Sequence, residues 1–209
     1  MDSLALVFSS GWASGVNAYL VVLVLGLADR FGDVAGIPDA LGRTDVLLAA
    51  AVMFALEFVA DKVPYLDSAW DAVSTVIRPT VGAVVGVLIA GDAATLDQAV
   101  AGVVGGGTAL LSHTVKASSR LAINSSPEPV SNVTASLAED VTVLALMWFA
   151  VEHPRAAAAI AGVLLLVGLV VVYLVARLVR RGWQRLRGRR TPPPTGGPGN
   201  PVVPGGTAG

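Results

Sequence analysis

"VLLAAAVMFALEFVADKVPYLD", residues 46–67, decides how this chain is to be read. Eleven uninterrupted apolar residues lead to Glu57, and Asp61 follows four positions later. An apolar run of this kind reads as a membrane helix, because about 20 such residues at 1.5 Å each cross a hydrocarbon core of roughly 30 Å. Two carboxylates at i and i+4 share one helix face, about 6 Å apart. The chain therefore carries acid at the end of a membrane segment, and the remaining sequence has to explain why.

Working outward, apolar blocks predict six spans, at about residues 4–28, 46–63, 76–90, 96–115, 133–151 and 156–179. The third is the weakest, since Pro79 interrupts it, and a kink or break is expected there. The composition agrees: 54% of residues are hydrophobic and the mean hydropathy is +0.71, above the range of ordinary globular domains. The expected fold is thus all-α, a polytopic membrane helix bundle over residues 1–182. A basic and then Pro/Gly-rich tail over residues 183–209 is expected to be disordered, because it lacks the apolar anchors that offset chain entropy. The start, "MDSLALVFSSGWASG", has an acid in place of a basic n-region and reads as a retained first helix.

The formal charge of -1 hides an asymmetry, since seven of the fourteen Lys and Arg lie between Arg177 and Arg190. With six spans and that segment in the cytoplasm, Lys62, Arg78, Lys116 and Arg120 lie inside with it. Arg30, Arg43 and Arg155 lie outside. The expectation is a multi-pass protein of the inner (plasma) membrane with both termini cytoplasmic. Its partners are the lipid bilayer and, at Arg177 to Arg190, anionic lipid. Nucleic acid is not expected, and so slim a bundle admits a homo-oligomer.

"GWASGVNAYL" in the first span and "GVVGGGTALL" in the fourth align Gly11 with Gly102 and Gly15 with Gly106. "LEFVADKV" and "ASLAEDVT" align Asp61 with Asp140 and Glu57 with Ser136. Two units of three spans, residues 4–91 and 96–180, would be inverted relative to each other, the common construction of secondary transporters. The same glycines form small-xxx-small pairs that let helices approach closely. The run Gly105, Gly106, Gly107 also allows an unwound stretch lining a cavity.

Intramembrane acids are functional candidates because an unpaired carboxylate in hydrocarbon costs several kcal/mol. Three readings of Glu57, Asp61, Ser136, Glu139 and Asp140 stand side by side. They supply oxygen ligands to a divalent cation, Na+ or H+; or they are counter-ions to Arg78, His113, Lys116 and Arg120; or Glu57 and Asp61 sit wetted at the cytoplasmic border. The basic stripe His113, Lys116, Arg120, with Arg78, could instead cradle an anion or a lipid phosphate. "NSSPEPVSN" reads as a turn with Ser131 or Asn132 capping the next helix.

Enzyme signals are missing. His113 and His153 are the only histidines, neither has a helical metal partner, and no Walker loop, dinucleotide fingerprint or G-x-S-x-G elbow appears. Without cysteine, thiol chemistry and disulfides are out. Neither a cofactor nor a catalytic residue is expected, and a metal ligand set is not specified.

"GWASGVNAYLVVLVLGLADRFG", "EFVADKVPYLDSAWDAVSTVIRPTVGA" and "KASSRLAINSSPEPVSNVTASLAEDV" together resemble a bacterial integral membrane family known as domain of unknown function 4126, over residues 10–154. The resemblance implies an integral membrane fold. It adds weight to Glu57, Asp61, Lys62, Asp67, Asp71, Arg78, Lys116, Arg120, Glu139 and Asp140, and brings no activity with it. The functional expectation is a small transporter or channel for a cation or a proton-coupled solute. The alternative is a non-transporting module that binds anionic lipid or scaffolds a partner.

Overall fold

The computed structural model describes residues 2–32, 34–63, 65–124 and 129–188. Among them there are helices and no strands: α1 (Asp2–Gly32), the single turn α2 (Asp39–Gly42), α3 (Thr44–Ala60), α4 (Leu66–Ala90), α5 (Thr95–Asn124), α6 (Pro129–Glu152) and α7 (Pro154–Gly188). The all-helical class is as expected, but the count of spans is corrected. Six long helices form, and four of them, α1, α4, α6 and α7, are long and apolar enough to cross a membrane. These four mark the chain as a membrane protein. Helix α3, with 17 residues, and α5, whose polar side chains Ser112, His113, Lys116 and Arg120 are buried, fall outside that group by length and composition taken alone.

Contacts divide the chain into residues 1–172 and 173–209. In the second unit the described part is helical to Gly188, so the basic segment begins as helix and not as a tail. Residues 189–209 of the expected disordered tail, and Ser125 to Glu128 of the expected turn, lie outside the described residues.

In the first unit, α1 packs against α4, α5, α3 and α6, and α4 packs closely on α5. The approach depends on small residues. A Cβ added to Gly82 would lie 2.7 Å from the Gly105 carbonyl oxygen and 2.8 Å from Ala109 Cβ; one added to Gly11 would lie 2.6 Å from the Gly105 oxygen. Of the glycines singled out in the sequence, Gly11 and Gly15 sit at such close approaches. At Gly106 and Gly102 the fit is looser, with first neighbours at 3.1 and 3.0 Å, and Gly107 faces open space.

The helix breaks considered at Pro79 and at the glycine run do not occur. Helix α4 runs from Leu66 through Pro79 to Ala90, and α5 runs through its three glycines without unwinding. The interruption falls in α1, at Asn17, whose φ of -150° and ψ of 97° are extended. Asn17 ends one helical half and caps the next: its Oδ1 accepts from Leu20 N at 3.0 Å, the bond of an N-cap side chain. A short amide that can replace a backbone acceptor explains why the helix breaks there and not at a glycine.

Substitution at Gly82 should test this packing. Gly82→Leu is expected to lower the melting temperature in detergent, at a cost of about 2 kcal/mol or more from overpacking. Gly107→Ala should leave it unchanged or raise it, since Ala favours helix over Gly by about 1 kcal/mol.

Candidate functional site

Four helices aim charge at one interior region. On α4, Asp67, Asp71, Ser74 and Arg78 recur at helical spacing and are all buried. Helix α5 presents Ser112, His113, Lys116 and Arg120 in the same way. Helix α3 contributes Glu57, with Asp61 at its C-cap, and α6 contributes Asn132, Ser136, Glu139 and Asp140. Their apolar remainders face other helices or the outside, so the polar stripes have only one another to pair with.

Arg78 binds Glu57 Oε1 at 2.5 Å and faces Asp71 at 3.1 Å. Lys116 Nζ lies 2.7 Å from Asp61, 3.5 Å from Glu139 and 3.8 Å from Glu57. Arg120 donates to Glu139 at 2.6 Å, to the Asp61 carbonyl at 3.0 Å and to Asn132 Oδ1 at 2.7 Å. Asp67 receives Asn124 Nδ2 at 2.9 and 3.0 Å and stands 4.0 Å from Arg120. These contacts join five carboxylates, Glu57, Asp61, Asp67, Asp71 and Glu139, to three bases, Arg78, Lys116 and Arg120. The acids outnumber the bases.

The break in α1 is part of the same cluster. Leu20 N, which would ordinarily bond the Val16 carbonyl, goes to Asn17 instead, and Lys116 Nζ takes that carbonyl at 2.9 Å. Ser112 donates to the Trp12 carbonyl at 2.7 Å and Arg78 to that of Gly15 at 3.4 Å. Cations thus face the C-terminal end of the first half-helix, where the dipole favours them. Asn17 Nδ2 donates to Asp140 Oδ1 at 2.9 Å, which ties α6 to the break.

His113 has a defined tautomer. Its Nδ1 lies 2.7 Å from Arg78 Nη1, and a guanidinium can only donate, so Nδ1 accepts and Nε2 carries the hydrogen. Nε2 then donates to Thr75 Oγ1 at 3.0 Å, and Thr75 donates to the Asp71 carbonyl at 2.9 Å.

Several carboxylate oxygens are buried without a hydrogen-bond donor: Glu57 Oε2, Asp61 Oδ1, Asp140 Oδ2 and both oxygens of Asp71. Among the described residues no group of three or more Asp, Glu or His side chains is arranged to hold a metal ion. The network reaches the outside at two places. Glu139, 22% exposed where its partners Lys116 and Arg120 are at 1–2%, lines a cavity of about 230 Å³ with Trp12, Ser112, Lys116 and Thr142. A groove of about 180 Å³ is lined by Ser68, Asp71 and Thr75.

The sequence-derived candidates Glu57, Asp61, Glu139, Arg78, His113, Lys116 and Arg120 are therefore brought together, as counter-ions to one another. Ser136 is buried and accepts from Lys62 Nζ at 3.4 Å. The border reading of Glu57 and Asp61 is corrected: both are buried, at 0% and 2% exposure. Sequence reasoning gave no role to Asn17 and Asn124, and took Asn132 only for a helix cap. An Asn inside an apolar run was the available signal.

Residues 4–174 match the family described as Domain of unknown function (DUF4126). The chain belongs to this family. Neither a curated protein nor a solved structure matches it. The DUF4126 match covers α1 to most of α7, so the whole charged network lies within the family's domain.

Removing one base should expose the cost of the network. Arg78→Met leaves Asp71 buried without a cation and Glu57 with only Lys116 at 3.8 Å, and should destabilise the protein by about 3–5 kcal/mol. Adding Glu57→Gln and Asp71→Asn should recover much of that loss in the same melting experiment.

Proposed function

We propose that this chain is a small membrane transporter or channel that moves protons, or another monovalent cation, alone or coupled to a small solute. The exchange takes place at Glu57, Asp61, Glu139 and Asp140, with Arg78, Lys116 and Arg120 as their partners. The observation that carries this reading is the imbalance, among the described residues, of five carboxylates, four of them fully buried and Glu139 half-buried, against three buried bases within one connected network. With Glu139 at the wetted edge, the four buried carboxylates still exceed the three bases, and the surplus is best met by a proton or a mobile cation. The donorless oxygens on Glu57, Asp61, Asp71 and Asp140 are where it would reside.

The chemistry is a relay among fixed groups. A proton arriving at Glu139 from its cavity weakens the carboxylate's hold on Arg120 and Lys116. Lys116 then leans on Asp61 and Glu57, and Arg78 is left to share its charge between Glu57 and Asp71. Each base has more than one acid within 4 Å, so its charge is never stranded during the exchange. The reading rests on this network and not on the inverted repeat, since α1 is broken at Asn17 while its expected counterpart α5 is continuous.

The test is flux in proteoliposomes carrying a pH-sensitive dye. Wild-type protein should dissipate an imposed pH gradient, and Asp61→Asn and Asp140→Asn, each confirmed as folded by melting, should slow it at least tenfold. Equal flux in all three would refute the assignment. Absence of flux, with stabilisation by anionic lipid alone, would favour the lipid-binding module.

A further inference from the structure

The two ends of α1 meet the same end of the bundle. Asp2, at its start, pairs with Arg155 at 2.6 Å. Leu27, Ala28, Phe31 and Gly32, at its end, line one cavity with Trp148, Val151 and Glu152. Glu152 and Arg155 are separated only by the α6–α7 junction at His153 and Pro154. A straight helix cannot do this: residues 2 and 32 would be about 45 Å apart at 1.5 Å per residue. The chain turns back at Asn17.

The neighbouring helices give the depth of that turn. The first half runs antiparallel to α4, with Val7 beside Gly86 and Gly15 at Arg78. The second half runs antiparallel to α3, with Gly26 against Leu41 and Leu47 and Arg30 donating to Thr44. Asn17 meets α6 at Asp140. Measured from the shared end, Asp140 on α6, Arg78 on α4 and Glu57 on α3 each lie about 18–20 Å deep, and Asn17 lies about 22 Å along either half of α1. All four converge near the middle of the bundle.

We infer that residues 2–32 form a re-entrant hairpin, two half-helices that enter and leave on one membrane face with Asn17 at the tip, and that the chain crosses the membrane five times, through α3, α4, α5, α6 and α7. Residues 2, 34–43, 91–94 and 153 then share one face, and residues 61–65 and the α5–α6 connection lie on the other. The division of loop charge is unchanged, with Arg30, Arg43 and Arg155 on the Asp2 face and Lys62 opposite.

Physical chemistry supports a tip in this position. Broken backbone at membrane depth is tolerated only where protein surrounds it. Of the four apolar helices α1 is the most enclosed, with 78% of its most apolar stretch buried against 33%, 28% and 11% in α4, α6 and α7. The groups freed by the break are satisfied by Lys116, Arg78 and the Asn17 side chain itself. Half-helix ends near the midplane, facing charge, are how membrane transporters build ion sites. The topology nonetheless stands whatever the protein moves.

The cysteine-free chain makes the test direct. Single cysteines at the exposed positions Ser3, Ala40, Asp92 and Val63 are labelled in sealed, oriented vesicles with a membrane-impermeant maleimide. Ser3→Cys, Ala40→Cys and Asp92→Cys should react from one side and Val63→Cys from the other. Ser3→Cys reacting from the Val63 side, or from both, overturns the inference. Nitroxides at positions 3 and 31 provide a second measurement in detergent. The hairpin predicts a separation well below the roughly 42 Å of a straight helix, and a distance near that value would also overturn it.

Discussion

The bundle is organised by three buried bases that must each be shared among several acids. Arg78, Lys116 and Arg120 project from two helices that pack tightly on each other, and every one of them faces at least two carboxylates, at least one from another helix. Removing charge from water costs several kcal/mol per ion, and the mutual attraction offsets this only when geometry and extra hydrogen bonds are good. Helices α3, α4, α5 and α6 are consequently held in register by electrostatics at one level, while small residues hold α1, α4 and α5 in contact below it.

Stability alone does not require such a network. An apolar core of the same volume would serve as well or better, since hydrophobic replacements of buried ion sets are often neutral or stabilising. A set that is also short of bases is poorer still as a staple. Its cost is understandable if the missing positive charge is a proton or cation that comes and goes. The break in α1 fits the same logic: Asn17 gives up regular helix so that the Val16 carbonyl can face Lys116 and its own amide can hold Asp140.

Much of this was legible in the residues. Apolar blocks gave an all-helical membrane protein, and the i, i+4 spacing of Glu57 and Asp61 pointed to the inward face of α3. The glycine pairs marked helix contacts. What escaped was tertiary. Asp67 and Asp71 lie before the apolar run that marked the third span, yet their spacing to Ser74 and Arg78 is helical, and α4 begins at Leu66 with all four buried. Pro79 and the glycine run suggested breaks that packing overrides, whereas Asn17, one amide among apolar neighbours, breaks its helix because Asp140 and Leu20 are there to receive it. Counting apolar blocks as crossings could not reveal a helix that returns to its starting face.

Whether protons or cations balance the acid excess can be read by infrared spectroscopy of the purified protein in lipid at neutral pH. A C=O stretch from protonated carboxyl groups is expected, shifted by deuterium exchange and weakened in Asp71→Asn or Asp140→Asn. A spectrum in which every carboxyl is ionised, unchanged by either substitution and indifferent to monovalent cations, would contradict the account.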